Sequence, residues 1–366
     1  MLSAMDDRVE RLLASISTAD AADALVAHDL VALAVELGAS DAEILHAGDQ
    51  SFGSLVVDLA TRPPGEAVTL ASLADSARLD PGLVRRAWGA FGLSAPDADA
   101  PVVAPDLARA IRSVGFLAGL LGEEAAIGIA RVIGSAGAQL AEALSSATRV
   151  GYELPQRDTG ASYAEVIGRI ALIARDQLPN LSQAVAAVVR RHIVAVSQQP
   201  WTADVARRAV TVDRVIGFVD LVGSTDILRT LTVAEVAASV GGFEELVGDV
   251  VVGAGGRVVK LIGDEAMFVV ADPVRACNLA VDLVAASAQP VRVGLALGEV
   301  IAFHGDFYGP TVNLAARLVA AAAPGTILVD ESLAAAAGET IELEPVTVGP
   351  LRGFPDVTAA HRIARA

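Results

Sequence analysis

The chain has 366 residues, of which 53% are hydrophobic, and a net charge of −17. It is long enough for two domains, each with its own core, and too apolar to be disordered. Residues 1–200 carry 24 acidic against 15 basic side chains, and residues 201–366 carry 20 against 12. A protein that binds nucleic acid through the phosphate backbone is usually basic, so we expect no nucleic-acid partner.

Cysteine content and the start of the chain predict a cytoplasmic protein. Cys277 is the only cysteine, so no intrachain disulfide can form. The first residues include Asp6, Asp7 and Glu10 rather than a basic and then apolar leader, which argues against export. No apolar run approaches the length of about 18 residues that would predict a transmembrane segment.

Residues 1–199 are predicted to form an all-α domain. Leu30, Leu33 and Leu37 follow helical spacing, and Gly38 followed by Ser40 is typical of one helix ending and another beginning. Residues 68–92 have the rhythm of a helix-turn-helix. Arg85 and Arg86 could then contact DNA, but two helices packed in a bundle explain the same pattern, and the acidic surroundings favour packing.

A linker is predicted at residues 200–213, followed by an α+β domain at residues 214–366. Strands are expected at 214–220, 256–270 (a hairpin) and 291–301, with helices at 233–252, 272–288 and 310–323. The resulting order βαββαβ predicts a ferredoxin-like core.

The segment Phe218-Val-Asp-Leu-Val-Gly-Ser-Thr225 ends an apolar strand with a carboxylate. Asp220 is placed to hold a metal ion, and Gly223, Ser224 and Thr225 at a helix start are placed to receive phosphate oxygens. Ordinary helix capping explains the turn equally well.

The hairpin Gly256-Arg-Val-Val-Lys-Leu-Ile-Gly-Asp-Glu-Ala-Met-Phe-Val-Val270 places Asp264 in a tight turn. In a ferredoxin-like order this turn lies beside the end of the first strand, so Asp220 and Asp264 should converge. Two aspartates holding Mg²⁺ ions suit in-line attack at phosphorus. Lys260 is the only lysine among 27 basic residues, which indicates a specific need for an ammonium group.

A third motif, Gly305-Asp-Phe-Tyr-Gly-Pro-Thr-Val-Asn-Leu-Ala-Ala-Arg317, runs from a glycine-bounded loop into a helix. Asn313 and Arg317 are four residues apart and therefore share one helix face. A solvated helix face is the simpler alternative.

Together, in this order and spacing, the three motifs resemble the catalytic domain of class III nucleotidyl cyclases, over about residues 211–366, and are most similar to the bacterial soluble subgroup. The helical half more loosely resembles the regulatory domain of actinobacterial pH-responsive adenylyl cyclases. The resemblance implies an adenylyl cyclase that converts ATP to 3′,5′-cyclic AMP and pyrophosphate.

The resemblance also implies roles for individual residues. Asp220, Asp264 and the Leu221 carbonyl would hold two Mg²⁺ or Mn²⁺ ions per site, and Lys260 with Asp306 would read the base. Asn313 would orient the ribose and Arg317 would stabilise the pentavalent phosphorus, and Arg352 stands where the family often has a basic residue facing phosphates. The metal-binding residues and the base-reading residues would come from opposite subunits, so a homodimer with shared active sites is expected.

Alternatives remain at this stage: a degenerate, nucleotide-sensing module, a guanylyl cyclase or a diguanylate cyclase. Adenine offers an amine donor beside a ring-nitrogen acceptor, which suits Asp306 and Lys260, whereas guanine reverses both groups. A proton, acting for example at His192, or a lipid-like ligand is a possible effector of the N-terminal domain.

Overall fold

A computed structural model describes residues 2–14, 21–48, 52–97, 100–197, 211–223, 232–357 and 359–364. The chain divides into two compact units, Met1–Gln199 and Pro200–Ala366. Each unit has its own hydrophobic clusters.

The N-terminal unit is all-helical in its described residues, which confirms the predicted class. Its two cores lie around Ile44 and around Leu73, both fully buried. Its helices are α1 Leu2–Leu13, α2 Ala21–Glu36, α3 Asp41–Ala47, α4 Phe52–Thr61, α5 Leu70–Ala77, α6 Pro81–Ala90, α7 Pro105–Leu121, α8 Glu123–Thr148, α9 Leu154–Asp158 and α10 Tyr163–Ser197.

Helices α5 and α6 are the pair with helix-turn-helix rhythm. Leu83, Ala87 and Trp88 on α6 are buried in the second core, so this face of the helix packs inside the unit. The Arg86 guanidinium forms an ion pair with Glu123 at the start of α8. The apolar pattern therefore serves packing, as the acidic surroundings favoured.

Three long helices of the N-terminal unit carry many exposed apolar side chains. Leu120, Ile133, Val150, Val188 and Ile193, on or next to α7, α8 and α10, each leave more than half of their surface exposed. Such a concentration of apolar surface is typical of an interaction site. None of the helices in the described ranges is long and apolar enough to cross a membrane.

The C-terminal unit combines one mixed sheet with four helices. The strands are β1 Thr211–Leu221, β2 Arg257–Ile262, β3 Glu265–Val270, β4 Val291–Phe303, β5 Asp306–Tyr308, β6 Ile327–Val329, β7 Leu343–Thr347 and β8 Ala359–Ile363, and the helices are Val233–Gly253, Pro273–Ala286, Pro310–Ala321 and Glu331–Ala337. The strand order in the sheet is β2-β3-β1-β4-β6-β8-β7, and β5 pairs with β4. The order of elements along the chain confirms the ferredoxin-like βαββαβ core.

The central sheet is buried on both faces. Three helices cover one face, where Val247, Leu283 and Leu333 meet the sheet, while the Pro310–Ala321 helix covers the other. β1 begins at Thr211, three residues before the predicted strand and inside the segment assigned to the linker. Val212 packs against the hydrophobic cluster between the sheet and the Pro310–Ala321 helix. This β-branched residue favours the strand conformation, so the strand extends into the predicted linker.

Cys277 provides a test of the packing of this unit. Its side chain is fully buried in the hydrophobic cluster that contains Val247, Leu283 and Leu333, and burial raises the pKa of its thiol to about 12. We expect thiol reagents at pH 8 to leave the native protein unlabelled over minutes and to modify one thiol per chain in denaturant, because only the exposed thiolate reacts. Rapid labelling of the native protein would contradict this packing.

Candidate active site

Asp220 lies near the end of β1, between two charged neighbours. In the sheet it pairs with Glu265 on β3 and with Arg292 on β4, so the three side chains share one face. Arg292 Nε donates to Asp220 Oδ2 at 2.6 Å. The Asp220 side chain is 13% exposed, so this carboxylate is held in a fixed position at the edge of the core.

The β2–β3 turn brings Asp264 to the same end of the sheet. Gly263 has a φ of 67°, a left-handed conformation that glycine adopts without strain. The Leu221 N–H donates to the Asp264 carbonyl at 3.1 Å and so joins the turn to the end of β1. The structure therefore places the turn that carries Asp264 beside the end of β1 that carries Asp220 and Leu221.

Glu265 and Arg292 also lie beside Asp220, and neither residue was predicted from the sequence to belong to the site. Burial raises the pKa of the Glu265 carboxyl, and repulsion from Asp220 and Asp264 adds to the effect, whereas Arg292 opposes it. Arg292 also donates to the Ala320 carbonyl in the last turn of the facing helix, at 3.2 Å. In the sequence, each of them is only a charged residue at one end of an apolar strand. The pairing of strands that brings them to Asp220 cannot be predicted from that pattern.

The donor set fits a hard divalent cation in part. Carboxylate and carbonyl oxygens are suitable ligands, and Mg²⁺ is commonly held by one or two carboxylates together with substrate phosphates. Within the described ranges, no group of three His, Cys, Asp or Glu side chains forms a metal cage. Asp220 and Asp264 offer carboxylate oxygens of this kind but do not by themselves complete the coordination of such a cation.

Lys260 and Asp306 form the second charged group of the site. Lys260 Nζ lies 2.6 Å from Asp306 Oδ2, and the Phe307 N–H donates to Asp306 Oδ1 at 2.7 Å. Both oxygens of this carboxylate are thus engaged, which fixes its plane. The contact spans 46 residues of sequence and places the β4–β5 hairpin against β2.

Asn313 and Arg317 lie on the Pro310–Ala321 helix, and both are exposed. Among the described residues, neither side chain forms a hydrogen bond or an ion pair. The helix lies close to the sheet at Gly294, where an added Cβ would be 2.1 Å from the Val319 nitrogen. This close approach fixes the height of the helix above β4, and therefore the position from which Arg317 reaches outward.

The remaining predicted residues are placed as follows. Gly223 lies in the turn after β1 with a φ of 74°, whereas Ser224 and Thr225 fall outside the described residues. Arg352 is exposed in the connection between β7 and β8, beside the bridge between Leu351 and Phe354. No contact in the described part of the chain joins Arg352 to the groups above.

The C-terminal unit thus combines two aspartates near one end of the sheet with a separate lysine–aspartate pair. No model of a protein family matches the chain. A Mycobacterium tuberculosis protein named only as uncharacterised, Rv2212, is 39% identical over 266 residues, which cover 71% of this chain and 70% of that protein. An adenylate cyclase of Streptomyces coelicolor is 33% identical over 267 residues, which cover 71% of this chain and 69% of the relative.

Among solved structures, the adenylyl cyclase CyaB from P. aeruginosa is 17% identical and has a TM-score of 0.39. It matches 43% of this chain and 96% of its own. The guanylyl cyclase Cya2 is 20% identical over 42% of this chain and 92% of its own, also with a TM-score of 0.39. The identity and coverage of the Streptomyces relative show the family: the chain belongs to the class III nucleotidyl cyclases.

Proposed function

We propose that the protein is an adenylyl cyclase that converts ATP to 3′,5′-cyclic AMP and pyrophosphate. The observation that carries the proposal is the contact of 2.6 Å between Lys260 and Asp306. Asp306 can accept a hydrogen bond from the exocyclic amine of adenine, and Lys260 can donate to the adjacent ring nitrogen. Guanine would set an acceptor against Asp306 and a donor against Lys260, so neither hydrogen bond could form. Relatives named adenylate cyclase support the choice.

Each charged group has a task in this reaction. Asp220 and Asp264, with the Leu221 carbonyl, would hold two Mg²⁺ or Mn²⁺ ions. When bound, these cations would lower the pKa of the ribose 3′-hydroxyl and neutralise the pyrophosphate leaving group. Arg292 donates to Asp220 Oδ2 and so fixes the orientation of that carboxylate.

Residues of the third motif and the adjoining turns would position the rest of the nucleotide. Asn313 would hydrogen-bond the ribose, and Arg317 would donate to the oxygens of the α-phosphorus as charge develops there. Gly223, Ser224 and Thr225 would contact phosphate oxygens, and Arg352 would add a further positive charge.

A homodimer completes this proposal, with each site shared between two copies. In one chain the functional groups of the Pro310–Ala321 helix face solvent without a partner among the described residues. Exposed apolar side chains lie on the two hairpins that carry Lys260, Asp264 and Asp306: Leu261, Ile262, Ile301, Phe303 and Tyr308. Exposed apolar side chains on the hairpins that carry these residues support an interface with a second copy. The apolar surface of α7, α8 and α10 is also compatible with such an assembly.

Product analysis of the full chain with ATP or GTP and Mn²⁺ tests the proposal. We expect cyclic AMP, with kcat/KM for ATP at least about 10²-fold above that for GTP, because two mispaired hydrogen bonds discriminate against guanine. Cyclic GMP formed at an equal or higher rate would contradict the ATP assignment, as would cyclic di-GMP. Absence of any product would leave a nucleotide-sensing module as the alternative.

A further inference from the structure

Arg257 is a cation of β2 to which none of the motifs assigned a role. It opens the strand that carries Lys260, and in the sheet it pairs with Val269 as Lys260 pairs with Met267. Val269 and Met267 belong to the same hydrophobic cluster. Arg257 and Lys260 therefore extend from the same face of the sheet, toward the β4–β5 hairpin.

The Arg257 guanidinium lies over the ring of Phe307, 5.4 Å from the ring centroid. Phe307 is 9% exposed, and it directly follows Asp306 in the chain. This distance is within the range of a cation–π interaction, which favours a planar guanidinium. Burial lowers the pKa of Arg257, and the negative charge of Asp306 acts in the opposite direction.

Asp306 is consequently fixed from three sides. Lys260 binds one carboxylate oxygen, the Phe307 N–H binds the other, and Arg257 holds the ring of Phe307. Phe307 also belongs to the hydrophobic cluster that contains Met267 and Val269 of β3, and in the sheet it pairs with Ala302 of β4. The contact with Arg257 adds a link from the ring of Phe307 to β2.

We infer that Arg257 is a positioning residue for purine recognition, which holds Phe307 so that Asp306 and Lys260 keep the geometry required to distinguish adenine from guanine. This inference rests on the proposed function, because it assigns base reading to Lys260 and Asp306. Arg257 itself does not touch the base. Its effect should therefore appear in nucleotide affinity and selectivity rather than in the chemical step.

The test measures equilibrium binding of fluorescent, non-cyclisable ATP and GTP analogues alongside turnover. We expect Arg257→Met to weaken binding of the ATP analogue by about 2- to 30-fold, the range of a lost cation–π contact. The preference for ATP over GTP should fall, while kcat changes by less than about threefold. Arg257→Lys keeps the positive charge but lacks the planar guanidinium, so it should restore part of the affinity.

Phe307→Leu removes the ring but leaves Asp306 and Arg257 in the sequence. If Arg257 acts through the ring, Phe307→Leu should reproduce the loss, and the double variant should be little worse than either single variant. Arg214→Met is the matched control, because Arg214 is a half-buried arginine of β1 that donates to the Asp213 carbonyl and, among the described residues, forms no contact with the Phe307 ring or the Asp306 carboxylate. Thermal unfolding of each variant separates a loss of affinity from a loss of fold.

Two results would overturn the inference: Arg257→Met with ATP and GTP affinities within twofold of the wild type, or losses that add in the double variant. The binding readout does not need turnover. If the protein binds the ATP analogue selectively but forms no cyclic AMP, the proposed function is contradicted. The affinities of the Arg257 variants then still decide whether Arg257 has the inferred role.

Discussion

Replacing Arg317 with alanine is expected to lower kcat by about 10²- to 10⁴-fold, as for other arginines that stabilise a transferring phosphoryl group. Arg317 is exposed on the Pro310–Ala321 helix, and the residues of its own chain that the structure describes give it no partner. An arginine without an intrachain role contributes little to folding, so the loss should fall on the reaction. Steady-state assays with ATP and Mn²⁺ measure it.

The control for this prediction is Arg275→Ala. Arg275 is also exposed on a helix of the C-terminal unit, but its helix covers the opposite face of the sheet. We expect its kcat to match the wild type. Sedimentation of both variants should show an unchanged oligomeric state. A kcat for Arg317→Ala within twofold of the wild type would remove Arg317 from the mechanism.

Local patterns in the sequence were sufficient to predict the frame of the site. Two apolar runs that flank Gly263 and Asp264 predicted the hairpin, and its bounds follow the strands β2 and β3. The predicted helix at 272–288 is observed at Pro273–Ala286, where Asp272 accepts a hydrogen bond from the Arg275 N–H at 2.8 Å and caps the helix. Capping and tight turns depend on residues close in sequence, which is why they can be predicted.

Contacts between distant segments could not be predicted in the same way. Arg292 is 72 residues from Asp220, and their ion pair depends on the register of β1 with β4. The contact between Arg257 and Phe307 depends on how the β4–β5 hairpin lies against β2. A shift of one residue in register would move each side chain to the other face, and no local pattern in the sequence determines that register.

Regulation by the N-terminal unit also stays a prediction. His192 is exposed on α10, which ends at Ser197, and the segment that follows lies outside the described residues. The exposed apolar side chains of α8 and α10 were not expected from their helical periodicity, because the same periodicity predicts burial. A proton or a lipid-like ligand remains the predicted effector.

Mixing two inactive variants is expected to restore activity. Asp220→Ala removes a metal-binding carboxylate, and Lys260→Ala removes half of the base-reading pair, so each variant alone should be inactive. If each site takes its aspartates from one copy and its lysine from the other, the mixed dimer has one intact site. Random exchange between equal amounts should then give about one quarter of the wild-type activity, because half of the dimers are mixed.

The matched control mixes Asp220→Ala with Asp264→Ala. Both changes affect the same half of the site, so each site of that mixed dimer lacks one carboxylate and no activity should return. Subunit exchange is verified with differently tagged chains that are purified together. Equal expression and unfolding temperatures exclude a trivial loss of fold.

Cyclic AMP formation by the mixture of Asp220→Ala and Lys260→Ala is therefore the most direct measurement of whether two copies share each site. We expect activity near one quarter of the wild type, and none from the control mixture. No activity in verified mixed dimers, or equal activity in both mixtures, would contradict a shared site.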